Sequence, residues 1–126
     1  MLPVARSEIM NRYAAKLLFQ FRVDVGGDSG KRRTCEERIV VVEARSAASA
    51  LAEVKRKAKV AEHDYENSNS NRVFFEFVGV MDLLELGAEC DADEVWYDIC
   101  KRLLPMERRD VFIPPEAELN AIRNEA

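Results

Sequence analysis

The chain has 126 residues, of which 48% are hydrophobic and 33% charged, and its formal net charge is −4 at pH 7. This composition is typical of one folded domain with its own hydrophobic core, and it excludes a disordered chain. The charge is uneven, since residues 1–75 carry 14 basic and 10 acidic side chains whereas residues 76–126 carry 5 and 13.

The location of the protein is predicted from its termini and thiols. Residues 1–10 contain no cationic stretch followed by an apolar run, so we predict no signal peptide. No window approaches the roughly 18 apolar residues that a membrane span needs. The three cysteines (Cys35, Cys90 and Cys100) have no C-x-x-C spacing and an odd count, which favours free thiols in a reducing compartment. We therefore predict a cytoplasmic protein without membrane contact.

The first half of the chain predicts a hairpin followed by a helix. Residues 1–12 lack a pattern and are interpreted as a flexible arm, with residues 13–126 forming a single domain. Apolar residues alternate from Tyr13 to Val25, which predicts a half-buried strand. The glycine-rich residues 26–30 predict a turn, and a second strand is expected at Thr34–Ala44.

A helix is predicted after the hairpin. Ser46 is a suitable N-cap, and apolar residues at three- and four-residue spacing form one stripe. We expect the helix to reach His63 or Tyr65. His63 is the one histidine of the chain, and we interpret it as a cap for the last helical carbonyls rather than as a catalytic base.

The most apolar segment is Arg72–Leu86, which predicts a long strand. One face carries Val73, Phe75, Phe77, Met81 and Leu83, whereas the other mixes apolar and acidic residues. Residues 94–99 fit a strand or a first helical turn, and their aromatic and β-branched content favours a strand. Pro114 and Pro115 predict the start of a short C-terminal helix.

Together these elements predict an α+β fold. We expect an antiparallel-rich sheet of about four strands in the order β-β-α-β-β, with one main amphipathic helix on one face. A short C-terminal helix is added to this core.

Four segments carry a resemblance to known proteins. They are Y-A-A-K-L-L-F-Q-F-R-V at 13–23, C-E-E-R-I-V-V-V-E-A at 35–44, V-F-F-E-F-V-G-V-M-D-L-L-E-L at 73–86 and E-V-W-Y-D-I at 94–99. In this order they resemble the DUF4288 family, small bacterial proteins classed as a domain of unknown function. The resemblance covers about residues 13–100 and implies a compact single domain of a bacterial cytosolic protein. It implies no activity, cofactor or catalytic residue.

A candidate interface is predicted on the sheet face that the helix leaves open. Adjacent aromatic residues of a strand point to opposite faces, so one of Trp96 and Tyr97 should lie on the open side. Apolar residues on the mixed face of the long strand would extend it into a patch typical of interfaces. The candidate residues are Val78, Val80, Leu84, Trp96 and Tyr97.

Charged residues suggest two further candidate sites. Glu36, Glu76 and Asp82 could form a ligand-binding or catalytic carboxylate cluster, although cross-strand ion pairs with basic residues are the favoured interpretation. Lys55, Arg56 and Lys59 could contact an anion such as a nucleic-acid phosphate. The pI of about 5.1 disfavours nucleic acid.

Metal and cofactor sites are not predicted. The acidic residues Glu89, Asp91, Asp93 and Glu94 lack the glycine that a calcium loop needs at its sharp turn. The glycines at 26–30 lack the spacing of a phosphate-binding loop.

The main functional hypothesis is a noncatalytic module that binds another protein or a second copy of itself. An immunity or antitoxin-like binder is one alternative. A small-ligand or hydrolytic enzyme using the strand carboxylates and a weak nucleic-acid binder are the others.

Overall fold

The computed structural model describes residues 10–87 and 96–125, and for residues 96–98 it describes the backbone alone. Five strands form one antiparallel sheet in the order β3-β4-β1-β2-β5. The strands are β1 (Asn11–Asp24), β2 (Arg32–Ala44), β3 (His63–Glu66), β4 (Arg72–Gly87) and β5 (Trp96–Leu103). The helices are α1 (Ala47–Ala61), α2 (Arg109–Phe112) and α3 (Asn120–Glu125), with a 3-10 turn at Glu116–Glu118. The predicted α+β class is confirmed, with one more strand than expected.

The hairpin and the start of the main helix form as their residues predict. Gly26 and Gly27 both have positive φ, 60° and 88°, which a tight turn between twisted strands requires. Ser46 is the N-cap of α1, and its hydroxyl accepts a hydrogen bond from the backbone N–H of Ser49. The strand predicted at residues 94–99 is confirmed for 96–99 and continues to Leu103 as β5, whereas residues 94 and 95 lie outside the described part of the chain.

The end of α1 was predicted wrongly. The helix ends at Ala61, and His63–Glu66 forms β3 against β4. Strand pairing and ring contact outweigh the local helical pattern, because His63 pairs with Phe75 and their ring centroids lie 5.1 Å apart. The Nδ1 atom of His63 still lies 3.0 Å from the carbonyl oxygen of Ala61.

The N-terminal boundary also differs. β1 begins at Asn11, inside the segment predicted as a flexible arm. Residues 1–9 lie outside the described part of the chain, as do Cys90 and the acidic residues considered for metal binding.

The main core lies between the sheet and α1, on what we call the helix face. Tyr13, Phe19 and Leu83 of the sheet are fully buried there, as are Ala47, Ala50 and Val54 of α1. Small alanine side chains let the helix lie close to the strands. α3 and the residue before it extend the cover, since Leu119 and Ala121 are buried in the same core.

The opposite side, which we call the strap face, is covered in part. Leu18, Cys35 and Val78 form a smaller buried cluster on it. Met106, Phe112 and Ile113 pack against this cluster. They belong to residues 104–119, which we call the strap because they pass from the strap face across the edge of β4 to the helix face.

A β-bulge changes the faces of β4. The pairing of β1 with β4 shifts register at Lys16/Leu17 and at Leu18/Phe19. Val80 consequently joins Phe77 and Leu83 in the main core, whereas Met81 packs with Val78 on the strap face. The predicted alternation is therefore wrong at Val80 and Met81, whereas Leu83 lies in the core as predicted.

Among the described residues, no helix combines the length and the apolar character that crossing a membrane requires.

Candidate functional site

A cleft of about 610 Å³ opens where β4, α1 and the strap meet. Its floor is residues 77–80 of β4, and Lys55 and Lys59 of α1 form one wall. The other wall comes from the strap: Arg109, Asp110, Ile113, Pro114, Pro115 and Glu116. This volume lies within the range of natural ligand-binding pockets.

The floor of the cleft is a strand edge. β3 pairs with β4 only from Arg72 to Phe75, while β4 continues to Gly87. Beyond Phe75, no described strand pairs with this outer edge of β4. A strand edge of this kind presents backbone groups on which an added polypeptide can form a ladder.

One backbone N–H group of this strand edge already donates a hydrogen bond to a carboxylate of the same chain. The backbone N–H of Phe77 donates to Oε2 of Glu62 at 2.8 Å. Glu62 is the residue after α1, and its other carboxylate oxygen lies 3.6 Å from Nζ of Lys59. A carboxylate is therefore already held between the strand edge and a lysine of the cleft.

The strap runs beside the edge without completing the ladder. Pro114 and Pro115 have no N–H to donate. The backbone hydrogen bonds found for Glu118 and Leu119 go to carbonyls of the strap itself, Pro115 and Glu116. Contact with the strand is made by side chains, and a Cβ atom on Gly79 would lie only 2.9 Å from Cγ1 of Ile113.

Each residue of the predicted anion site has an acidic partner. Lys55 pairs with Glu116 at 3.1 Å, Arg56 with Glu53 at 2.7 Å and Lys59 with Glu62. These cations are thus matched by the chain's own carboxylates and do not form a bare basic surface. Exposed pairs of this kind stabilise a protein by only about 0–1 kcal/mol, so a competing carboxylate can replace them.

The predicted carboxylates do not converge. Glu36 lies opposite Phe19 and Glu76 lies opposite Gln20, so they point to opposite faces of the sheet. Glu36 pairs with Arg38 at 2.9 Å on the helix face. Oδ1 of Asp82 accepts hydrogen bonds from the backbone N–H groups of Leu83 and Asn120. No acid–base pair is formed by these three residues.

Ion pairs on the strap face hold carboxylates in their charged form. Burial would raise the pKa of Glu37, but hydrogen bonds from Arg102 and Lys16 outweigh it, and the pKa is lowered. Burial likewise opposes the effect of Arg22 and Gln20 on Glu76, whose pKa is also lowered. These groups therefore serve stability, since they favour the folded state while they are charged.

We expect Glu37→Gln to lower the melting temperature at pH 7 and to matter less as the pH falls. A carboxylate with a lowered folded pKa contributes stability above its ordinary pKa of about 4.5, and this is lost as the pH falls through the lowered value. Protonated Glu37 resembles glutamine, so the difference between the two melting temperatures should shrink as the pH falls below the ordinary pKa of about 4.5. Calorimetry between pH 7 and pH 3 measures the melting temperatures of both proteins. A difference between them that stays constant over this range would contradict the prediction.

The strap is anchored by a buried arginine that the sequence patterns did not reveal. Arg33 is 6% exposed and binds both carboxylate oxygens of Glu107, at 2.8 and 2.7 Å. It also donates to Oε1 of the buried Gln20. Because these partners lie 74 and 13 residues away along the chain, no local motif joins them.

The predicted interface needs correction at two positions. Val78 is 2% exposed because the strap covers it. Val80 is 5% exposed because the bulge turns its side chain into the main core. Leu84 is 44% exposed. For Trp96 and Tyr97 the structure describes only strand pairing, opposite Ile39 and Arg38. The open sheet face predicted from the sequence is therefore covered at Val78 but not at Leu84, and Val78 and Val80 line the cleft together with Lys55 and Lys59.

The two described thiols, Cys35 and Cys100, are not activated as nucleophiles. Burial raises the pKa of Cys35 to about 11. Burial and a hydrogen bond to Glu37 raise the pKa of Cys100 as well. Within the described residues, no three histidine, cysteine or acidic side chains are grouped to hold a metal ion.

Comparison with known proteins gives a family. A family model described as a domain of unknown function, DUF4288, matches residues 12–96, which include β2 to β4, α1, all but the first residue of β1 and the first residue of β5. No curated protein and no solved structure matches the chain. With the match covering more than half of its residues, in the segments that build the sheet and the main helix, the chain belongs to the DUF4288 family.

Proposed function

We propose that this protein is a noncatalytic protein-binding module that takes up an extended segment of a partner in the cleft beside β4. The observation that supports the proposal is the meeting, in one cleft, of two lysines with an edge of β4 that no described strand pairs beyond Phe75. Backbone hydrogen bonds to the edge would supply affinity, and the cleft walls would select side chains.

The charges of the cleft indicate what the segment carries. Lys55 and Lys59 hold carboxylates of Glu116 and Glu62. A partner carboxylate can take over either contact at little net cost, because exposed ion pairs contribute little. We therefore propose a segment that adds a short strand to residues 77–80 and carries acidic side chains toward α1.

The other hypotheses have less support. An enzyme using strand carboxylates would need Glu36 and Glu76 on one face, and they lie on opposite faces. A nucleic-acid binder would need unmatched cations where Lys55, Arg56 and Lys59 have acidic partners. An immunity or antitoxin-like role is one form of the present proposal, with a toxic protein as the partner. A bacterial cytoplasmic location is part of it, supported by the free thiols of Cys35 and Cys100.

The proposal is tested by selecting displayed random peptides on the full chain and measuring the enriched peptides by fluorescence polarisation. We expect acidic, extended peptides whose affinity falls about tenfold or more in a Lys55→Glu/Lys59→Glu variant, because attraction becomes repulsion at two contacts. Hydrogen exchange should slow at residues 77–80 when the peptide binds.

The matched control is Lys57→Glu. Lys57 lies on the same helix, half exposed, and its contact is Glu53 at 4.0 Å rather than a residue of the cleft. The Lys57→Glu substitution should change the affinity for the selected peptides less than twofold. Equal losses in the two variants, peptides that protect a different segment, or no enrichment at all would each refute the proposal.

A further inference from the structure

Two cysteines lie directly opposite each other on neighbouring strands. Cys35 of β2 pairs with Cys100 of β5 in the antiparallel register, and both are free thiols. Opposed residues share one face of a sheet. Here it is the strap face, where Cys35 belongs to the buried cluster and Cys100 packs against it. The sheet thus brings together two thiols that no spacing motif in the sequence connects.

The spacing of the two strands suits a disulfide bond. Opposed residues of antiparallel strands have Cα atoms about 4.5–5.5 Å apart. A disulfide usually joins Cα atoms roughly 4.4–6.8 Å apart. The two thiols also influence each other, since burial raises the pKa of Cys35 and the neighbouring Cys100 raises it further. The sulfurs can therefore join without a rearrangement of the sheet.

Each thiol has a different hydrogen-bond partner in the reduced protein. Sγ of Cys35 donates to the backbone carbonyl of Arg33 at 3.7 Å, and Sγ of Cys100 donates to Oε2 of Glu37 at 3.5 Å. A thiol is a weak donor, and rotation about χ1 breaks either contact. Glu37 keeps the lysine and the arginine with which it forms ion pairs. Forming the disulfide therefore leaves this carboxylate paired.

We propose that Cys35 and Cys100 form a reversible redox site, at which a low-molecular-weight disulfide such as oxidised glutathione converts the two thiols into a bond between β2 and β5. Cys100 reacts first, because it is partly exposed whereas Cys35 is fully buried. Its thiolate attacks one sulfur of the small disulfide and releases one small thiolate. The Cys35 thiol then loses its proton, attacks the sulfur of Cys100 and releases the second. Two protein thiols are oxidised, one small disulfide is reduced to two thiols, and these take up the two protons.

The surroundings make this reaction slow. Burial and Glu37 raise the pKa of Cys100, although Arg102 opposes them, so the thiolate is a minor species at neutral pH. A pair of this kind stays reduced in an ordinary reducing cytoplasm and responds to prolonged oxidation of its compartment. The site is therefore a slow redox sensor and not a catalytic thiol pair.

The bond fastens the C-terminal part of the chain to the hairpin. β5 leads into the strap, whose Met106 and Phe112 pack on the same cluster as the two cysteines. The bond also closes a long loop that contains α1, β3 and β4, which restricts the unfolded chain. We expect the oxidised protein to melt roughly 5–15 °C higher than the reduced protein.

The test uses the full chain with Cys90→Ser, which leaves the two thiols of the proposed site. The protein is incubated with oxidised glutathione at about pH 8.5, where more thiol is ionised, and is then analysed by non-reducing mass spectrometry. The main product should be a monomer about 2 Da lighter, in which peptides containing Cys35 and Cys100 are joined. Its melting temperature should rise, and dithiothreitol should restore both thiols and the original value.

Three results with this chain would each overturn the proposal: a stable glutathione adduct at Cys100, covalent dimers as the main product, or no reaction. In the chain with all three cysteines, a bond from Cys90 as the main product would overturn it as well.

The matched control moves one thiol to the other face of β2. Thr34→Cys/Cys35→Ala, in the Cys90→Ser chain, keeps a thiol near Cys100 but on the opposite face, since neighbours in a strand alternate. Oxidation should then stop at the glutathione adduct, without the rise in melting temperature. Equal yields of internally linked protein from the two chains would overturn the pairing. Charge reversal of the two cleft lysines should leave the oxidation unchanged, so this proposal and the proposed peptide binding fail separately.

Discussion

Phe19→Ala is expected to lower the free energy of unfolding by about 3–5 kcal/mol. Phe19 is fully buried at the centre of the helix face, and its ring stacks on Phe75 with centroids 4.6 Å apart. Phe77 lies at 5.6 Å, and the guanidinium of Arg38 lies 4.9 Å from the ring centroid on the exposed side. Removing the ring leaves a cavity and removes the cation–π contact of Arg38 with Phe19. Urea denaturation monitored by circular dichroism measures the loss.

Phe74→Ala is the matched control for this prediction. Phe74 is the neighbouring aromatic residue of β4, it is partly exposed, and Arg22 lies 4.4 Å from its ring centroid. Its removal forfeits one cation–π contact and part of the ring's burial, and should destabilise by about 1 kcal/mol. Equal losses in the two variants would mean that Phe19 is not the centre of the core.

Gly79→Ala should destabilise the protein by about 1–3 kcal/mol through overpacking. The new methyl group would lie 2.9, 3.0 and 3.1 Å from Cγ1, Cγ2 and Cδ1 of Ile113. Ile113 is β-branched and stiff at χ1, so it cannot yield by rotating one bond. The strap must move outward, and its contacts with Val78 and Leu18 weaken with it.

A double-mutant cycle isolates this contact. Ile113→Ala alone should destabilise by removing a partly buried side chain, but Gly79→Ala/Ile113→Ala should be more stable than the sum of the two losses predicts. The favourable coupling arises because the shortened side chain makes room for the methyl group. Denaturation midpoints of the four proteins provide the cycle, and additive losses would show that the strap does not press on Gly79.

The parts of the fold that were predictable depend on neighbours in the sequence. Alternation in β1, turn glycines at 26 and 27 and the Ser46 cap are local signals, and each element formed where its residues indicate. β3 was missed because four polar and aromatic residues acquire a strand conformation only by pairing with β4. The local strand propensity of a segment carries no information about a pairing strand that lies later in the chain.

The residues of the candidate site could be predicted from the sequence, but their grouping around one cleft could not. Val78, Val80, Lys55 and Lys59 were each selected, as members of two separate sites, and the structure places them around one cleft. The missing information was the path of the strap, which depends on the distant contact of Arg33 with Glu107. Gly79 was the available signal, since a glycine inside a strand often marks a close approach by another segment.

The strap and α3 also join parts of the fold that lie far apart in the sequence. Glu125 accepts hydrogen bonds from the hydroxyl of Tyr13 and from the backbone N–H of Ala47, so the last helix ties the first strand to the start of α1. The family match stops at residue 96, before most of β5, the strap and this closing contact. A chain truncated there would expose Leu18 and Val78 and lose the tie at Tyr13. The segment that the family model matches is thus shorter than the segment that packs into the two cores, and we expect this chain to be less stable when it is cut at residue 96.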